Sequence, residues 1–262
     1  MYFTILLIRR LKNTLPAALA KAGTGASMES HTSKQYDHEL DDLLRGIAFM
    51  GGLVDRQIGH ALEAMSGRYV SDPHGKIQAT ENEINQYEIK LNQQCSQIIA
   101  LRQPIAIDLR LVMSVVKTVN DLERIGDETK KIGVTTVKLL ESAHFTNSLL
   151  QELTAMLTKA RTLVGSALHA LTEQDLSATA AILNEDSAID ADYNDVLKKL
   201  ISFRLDTPEQ VSAAVDLALI AKAIERIGDH ATNIAESLVR VVKGKDISHL
   251  PRDSQTLQLE SD

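Results

Sequence analysis

Tryptophan is absent from this 262-residue chain, and aromatic residues make up only 3% of it. A core without large rings must be filled by Leu, Ile, Val, Ala and Met. Five prolines are few for a chain of many short strands and tight turns, and the 13 glycines do not gather into loop-rich clusters. Both shortages argue against a β-sandwich or barrel and for helices. The single cysteine, Cys95, excludes an internal disulfide. It fits a reducing compartment and reads as a small helix-face residue. No apolar run approaches the roughly 20 residues that a membrane-spanning helix needs. No Gly-rich phosphate loop follows a strand pattern, so nucleotide chemistry is not indicated. Ser, His and Cys form no nucleophile arrangement.

Positive charge is also scarce. The formal net charge is −7, yet the first 27 residues carry four basic side chains (Arg9, Arg10, Lys12, Lys21) and no acid, which leaves residues 28 onward at −11. So acidic a body is a poor non-specific binder of nucleic acid and is better suited to cations or a basic partner. Tyr2 to Ile8 is apolar and is followed by Arg9-Arg10, the reverse of a secretory signal's order. Residues 1–32 are therefore expected to be a disordered or non-native extension, with Met28 as the translation start.

What the chain does have is helical periodicity. Leu40, Leu43, Leu44, Ile47, Met50, Val54, Ile58, Ala61, Leu62 and Met65 recur mostly three and four apart, which predicts a first helix with one buried face. Within it, Met50-Gly51-Gly52 reads as a close-packing point. Ser71-Asp72-Pro73 breaks it and starts a second helix, from about His74 to Leu101. Pro104 opens a third, strongly apolar helix, and Glu141 to Asn147 reads as a loop. A fourth helix is expected over Leu149–Leu171, and a fifth from Gln174-Asp175 to about Phe203. Thr207 is the expected N-cap and Pro208 the first residue of a sixth, closed by Lys243-Gly244. The expectation is an all-α chain of two tandem pseudo-symmetric three-helix bundles. They would cover residues 33–143 and 147–244, with a flexible tail over 245–262.

The duplication is visible in letters. Leu122-Glu123-Arg124-Ile125-Gly126-Asp127 matches Ile224-Glu225-Arg226-Ile227-Gly228-Asp229 at an offset of 102. Upstream, Glu81 and Asn85 stand where Asp186 and Asp190 stand in the second half. Internal self-similarity of this kind marks a repeated unit.

The repeat carries acids. Glu123 and Asp127 lie four apart on one helix face, as do Glu225 and Asp229. Like charges at that spacing disfavour a helix by about 0.2–0.5 kcal/mol, and the motif glycine costs about 0.8–1 kcal/mol against Ala. Asp186 and Asp190 add a further acid pair on the neighbouring helix. Packed side by side, helices five and six would bring four carboxylates together. Such oxygen ligands suit Mg²⁺, Mn²⁺, iron or Zn²⁺. The candidate metal ligands are Glu123, Asp127, Glu225, Asp229, Asp186, Asp190 and Glu81. In the first half Asn85 replaces a carboxylate, and Glu88 is a further acid. The simpler alternative is a solvated acidic face balanced by Arg124 and Arg226. A carboxylate-bridged metal enzyme or a metal-storage bundle is the competing function. Di-iron bundles of that type use Glu-xx-His on two helices. The one match, Glu141-Ser142-Ala143-His144, falls in the expected interdomain loop and reads as chance. His230 reads as a polar surface residue ahead of a ligand.

Taken together, several stretches resemble the PhoU family of phosphate-uptake regulators. They are Phe49-Met50-Gly51-Gly52-Leu53-Val54, then Ile98 to Pro104 with Asp108-Leu109-Arg110, the two Glu-Arg-Ile-Gly-Asp copies, and Val242-Lys243-Gly244-Lys245-Asp246. The resemblance covers roughly residues 33–250. It implies two three-helix bundles with iron or zinc at the repeated motifs, Mg or Mn being further candidates. It also implies a non-catalytic, cytoplasmic adaptor, associated with the membrane only through partners. Those partners are the ATPase subunit of the phosphate ABC transporter (PstB) and a sensor histidine kinase (PhoR). Phosphate-starvation genes would be repressed when phosphate is plentiful. A homodimer or higher homo-oligomer is implied as well.

Overall fold

The structure is a computed structural model that describes residues 28–67, 72–142, 147–173, 175–244 and 247. Residues 1–27 lie outside the described residues. Six helices follow in order: α1 (Met28–Met65), α2 (Pro73–Arg102), α3 (Ala106–Ser142), α4 (Asn147–Glu173), α5 (Ser177–Ser202) and α6 (Pro208–Lys243). No described helix is long and apolar enough to cross a membrane.

Local chemistry sets most of the boundaries. Asp72 caps α2 by accepting a hydrogen bond from the Gly75 N–H at 2.9 Å, and Pro73 takes the first helical position. Thr207 caps α6 by accepting from the Gln210 N–H, and Gly244 ends it at a φ of 67°. Asp175 accepts from both the backbone N–H and the hydroxyl of Ser177, so α5 begins just after the expected Gln174-Asp175 start.

Three expectations change. First, α1 begins at Met28, inside the segment expected to be an extension and twelve residues before Leu40. Its first turns are polar and carry no apolar stripe. They are tied down by Arg102, whose Nε and Nη2 donate to the two oxygens of Glu39 at 2.9 and 2.6 Å, and by Tyr36, which packs on the core. Second, α3 runs through Ser142 and α4 starts at Asn147, so both ends of the expected loop over Glu141–Asn147 are helical, and residues 143–146 lie outside the described residues. Third, Ile247 is buried in a segment expected to be loose.

The helices pack as two bundles, α1–α2–α3 and α4–α5–α6, which share one continuous apolar core. Their broadest contact is α3 against α6, with α1 against α4 beside it. Thus α1, α3, α6 and α4 form a closed central ring, and α2 and α5 lie outside it. Gly51 serves the α1–α4 contact, because a Cβ there would stand 2.6 Å from Leu168 Cδ1. Beside it, Asp55 accepts from Arg161 Nε and Nη2 at 2.6 and 2.8 Å. Cys95 lies in the core, and burial pushes its thiol up to about 11.

The α3–α6 seam is antiparallel. Arg110 Nε donates to the Val241 carbonyl at 3.2 Å, and His230 Nδ1 lies 3.0 Å from Asp121 Oδ1. Arg226 Nη1 donates to Glu128 Oε1 at 3.2 Å, and Lys138 Nζ lies 2.9 Å from Asp216 Oδ2. This ladder brackets Ile125 and Ile227, both fully buried, at its middle. The motif isoleucines therefore sit where the pseudo-twofold axis crosses the seam. Ile125→Ala and Ile227→Ala should each cost about 2–5 kcal/mol in urea unfolding. The double variant should deviate from additivity by about 0.5 kcal/mol or more, because the two positions share one packing region.

Candidate metal centres

Each motif glycine meets a buried carboxylate of its own bundle's outer helix. In the first half a Cβ on Gly126 would stand 3.3 Å from Glu81 Oε2 and 3.2 Å from Ile84 Cδ1. In the second half a Cβ on Gly228 would stand 2.7 Å from Asp186 Oδ1 and 3.4 Å from Ile189 Cδ1. Glu81 and Asp186 are each 1% exposed. The glycines thus open the notch into which these carboxylates pack, which accounts for their low-propensity presence in mid-helix.

Above the floor of the second notch, Asp190 on α5 and Asp229 on α6 close in. One carboxylate oxygen from each of Asp186, Asp190 and Asp229 lies within 4.8 Å of the others. Among the described residues this is the one group of three or more metal-ligating side chains that converges so closely. Asp229 reaches solvent along one side, while the packed helices behind it remove hydration. That burial, with Glu225 and Asp190 as like charges, pushes its carboxyl upward. Glu225 stands at the edge, where the Lys222 ammonium bonds its Oε2. Lys222 also lies over the Tyr193 ring, 5.4 Å from its centre.

The first half has the same floor and a different rim. Gln57 of α1 donates from Nε2 to Glu81 Oε2 at 2.8 Å. Burial pushes Glu81 upward, Gln57 partly offsets this, and Asp127 beside it raises it further. Two acids in such contact can hydrogen-bond only by sharing a proton. Burial also raises Glu123, with Asp127 and Glu88 as like charges. Asn85 and Glu88 occupy the places of Asp190 and Tyr193. Asn85 Oδ1 is buried and has no hydrogen-bond donor among the described residues. Arg124, which could have balanced the pair, is mostly exposed and approaches Glu123 only at 3.6 Å.

The structure therefore brings Asp186, Asp190 and Asp229 together, sets Glu225 on their rim, and groups Glu81, Glu123 and Asp127 more loosely. Gln57 was not foreseen, because no periodicity links it to α2. Lys222 and Tyr193 were not foreseen either, although Lys222 precedes Glu225 by a helical turn. His230 faces Asp121 across the seam and bears on the acid cluster only through its charge effect on Asp229. Glu141 ends α3 in solvent, away from both clusters, and His144 lies outside the described residues. Acids packed against one another over a notch cut by glycine fit a hard or borderline divalent cation.

Comparison with known proteins agrees with the duplicated architecture. The PhoU domain model matches twice, over residues 47–136 and 153–238. The chain belongs to the PhoU family. A PhoU relative from Burkholderia sp, named phosphate-specific transport system accessory protein PhoU homolog, is 37% identical over 227 residues, covering 85% of this chain and 95% of that protein. The Escherichia coli K12 phosphate-specific transport system accessory protein PhoU is 31% identical over 227 residues, 87% of this chain and 93% of its own. The crystal structure of PhoU from Pseudomonas aeruginosa superposes with a TM-score of 0.73 at 31% identity, covering 80% of this chain and 100% of that one.

A buried acid held above its ordinary range weakens the fold at neutral pH. Because the folded value of Glu81 lies above the unfolded 4.5, the penalty is full above the folded value and fades as pH falls through it. Metal-free Glu81→Gln should gain about 1 kcal/mol at neutral pH, a melting rise of about 2–4 °C. That gain should shrink as the pH is lowered toward 4.5.

Proposed function

We propose that this chain is a non-catalytic regulator of phosphate uptake that works by contact with other proteins. The observation that carries the reading is the double PhoU domain match, one copy per bundle, with relatives named as phosphate-specific transport accessory proteins. Its partners on this reading are the ATPase subunit of the phosphate transporter and a sensor histidine kinase, met at the inner face of the membrane in the cytoplasm.

Surface chemistry supports a contact protein. The corner between α2 and α3 exposes Leu101 at 77% and Ile105 at 78%, and the corner between α5 and α6 exposes Ile201 at 83%. The helices that leave these corners keep the pattern, with Leu109 and Met113 matched by Val211 and Val215 at the 102 offset, all exposed. Repeated apolar exposure of this kind is a common mark of protein-binding surfaces.

Metal, iron or zinc first, belongs to the same reading. Asp186, Asp190 and Asp229 would hold it in the second half with Glu225 at the edge, and Glu81, Glu123 and Asp127 in the first. A bound cation would neutralise the clustered charge and tie each outer helix to its motif helix. It would act as a structural or regulatory element, with no turnover.

Deleting the gene should derepress alkaline phosphatase in phosphate-rich medium, and unchanged repression would contradict the regulatory role. Elemental analysis of gently purified protein should find metal, and Glu225→Ala combined with Asp229→Ala should lower the content, because both substitutions remove ligands of the second site.

A further inference from the structure

The second acid cluster contains a cation of its own. Lys222 lies one turn before Glu225 on α6, bonds its Oε2, and rests over Tyr193 of α5. Its charge also acts on Asp229. The first half has cations nearby, Arg124 at 3.6 Å from Glu123 and Lys130 acting on Glu81, but none at the place of Lys222. The place of Lys222 is taken by Asn120, neutral and exposed, and the place of Tyr193 by Glu88, an added carboxylate that acts on Glu123.

We propose that Lys222 is the resident counter-cation of the second site, holding Glu225 until a divalent cation displaces it, so that the two halves bind the same metal with different affinity. This rests on the metal-binding reading above. An ammonium on a four-carbon stem is a mobile point charge. The Lys222 side chain is 40% exposed, so it can leave Glu225 for solvent without unpacking the core. A metal entering the second half must break that ion pair or be repelled by it. A metal entering the first half meets no lysine hydrogen-bonded to the motif glutamate; there Glu123 has only the longer, mostly exposed contact to Arg124. The lysine therefore lowers the affinity of one site while relieving charge repulsion in its metal-free state.

The experiment is a Zn²⁺ competition titration of the full chain against a chromophoric chelator. With the first half disabled by Glu123→Gln and Asp127→Asn, Lys222→Gln should bind Zn²⁺ about three- to tenfold more tightly than the same protein with Lys222, the range expected for releasing a partly exposed ion pair. With the second half disabled by Glu225→Gln and Asp229→Asn, Asn120→Lys should weaken the remaining site by a similar factor. Circular dichroism melting checks that each variant folds, and if Lys222→Gln does not, Asn120→Lys decides alone. Zn²⁺ binding with affinity unmoved by these substitutions overturns the proposal and leaves the metal reading standing. Absence of Zn²⁺ binding in either half overturns both.

Discussion

A carboxylate pressed against a glycine governs this structure. Glu81 on Gly126 and Asp186 on Gly228 are buried acids on a helix floor, where a Cβ would crowd the first at 3.3 Å and collide with the second at 2.7 Å. A helix pays for mid-chain glycine in propensity, and a bundle loses stability by burying an acid. Both costs occur at one point, and they occur twice. The register of α2 on α3 and of α5 on α6 follows, because only one alignment puts the acid over the notch. Ile84 and Ile189, one turn further along, lock it with apolar contact.

The Glu-Arg-Ile-Gly-Asp motif that carries each glycine also organises the molecule at larger scale. Helix periodicity turns the isoleucine of each motif away from the notch and into the α3–α6 seam. There Ile125 and Ile227 occupy the centre of an antiparallel ladder that runs from Arg110–Val241 to Lys138–Asp216. The Glu and Asp of each motif point toward the rim of the acid cluster. The arginines diverge: Arg226 crosses the seam to Glu128, while Arg124 stays near Glu123 in solvent. One sequence word therefore serves the bundle interior, the joint between bundles and the exposed chemistry. Conserving the word in both halves conserves all three at once.

Much of this was legible before any coordinates. Apolar spacing located the first, third, fourth and sixth helices, because each buries one stripe against the shared core, and break and start signals located the second and fifth. The caps at Asp72, Thr207 and Gly244 were legible because capping is local chemistry. The start of α1 was not, since its polar turns are held by Arg102 from a different helix. The acid sites were legible as pairs on one helix, because spacing of four reports a shared face. Their completion was not. Gln57 reaches Glu81 from a third helix, and Tyr193 meets Lys222 only through the packing of α5 on α6. Pairings of that sort depend on interhelical register, which periodicity leaves undetermined.

The two halves differ in a way that follows from where change is cheap. Replacing a floor carboxylate with a smaller or apolar side chain leaves a void under a glycine or an unanswered donor such as Gln57, so the floor tolerates only residues of similar shape that still accept a hydrogen bond. A rim residue touches solvent on one side, and its replacement disturbs only charge. Accordingly the floor is acid over glycine in both halves, whereas the rim is Asn85, Glu88 and Asn120 in one and Asp190, Tyr193 and Lys222 in the other. Duplication supplied two equal clefts, and substitution at the rim gave them unequal charge. A cation that entered both would meet an acidic rim in the first and a lysine already seated in the second. Two sites on one frame can in that way answer different concentrations of one ion, with no change in the helices that carry them.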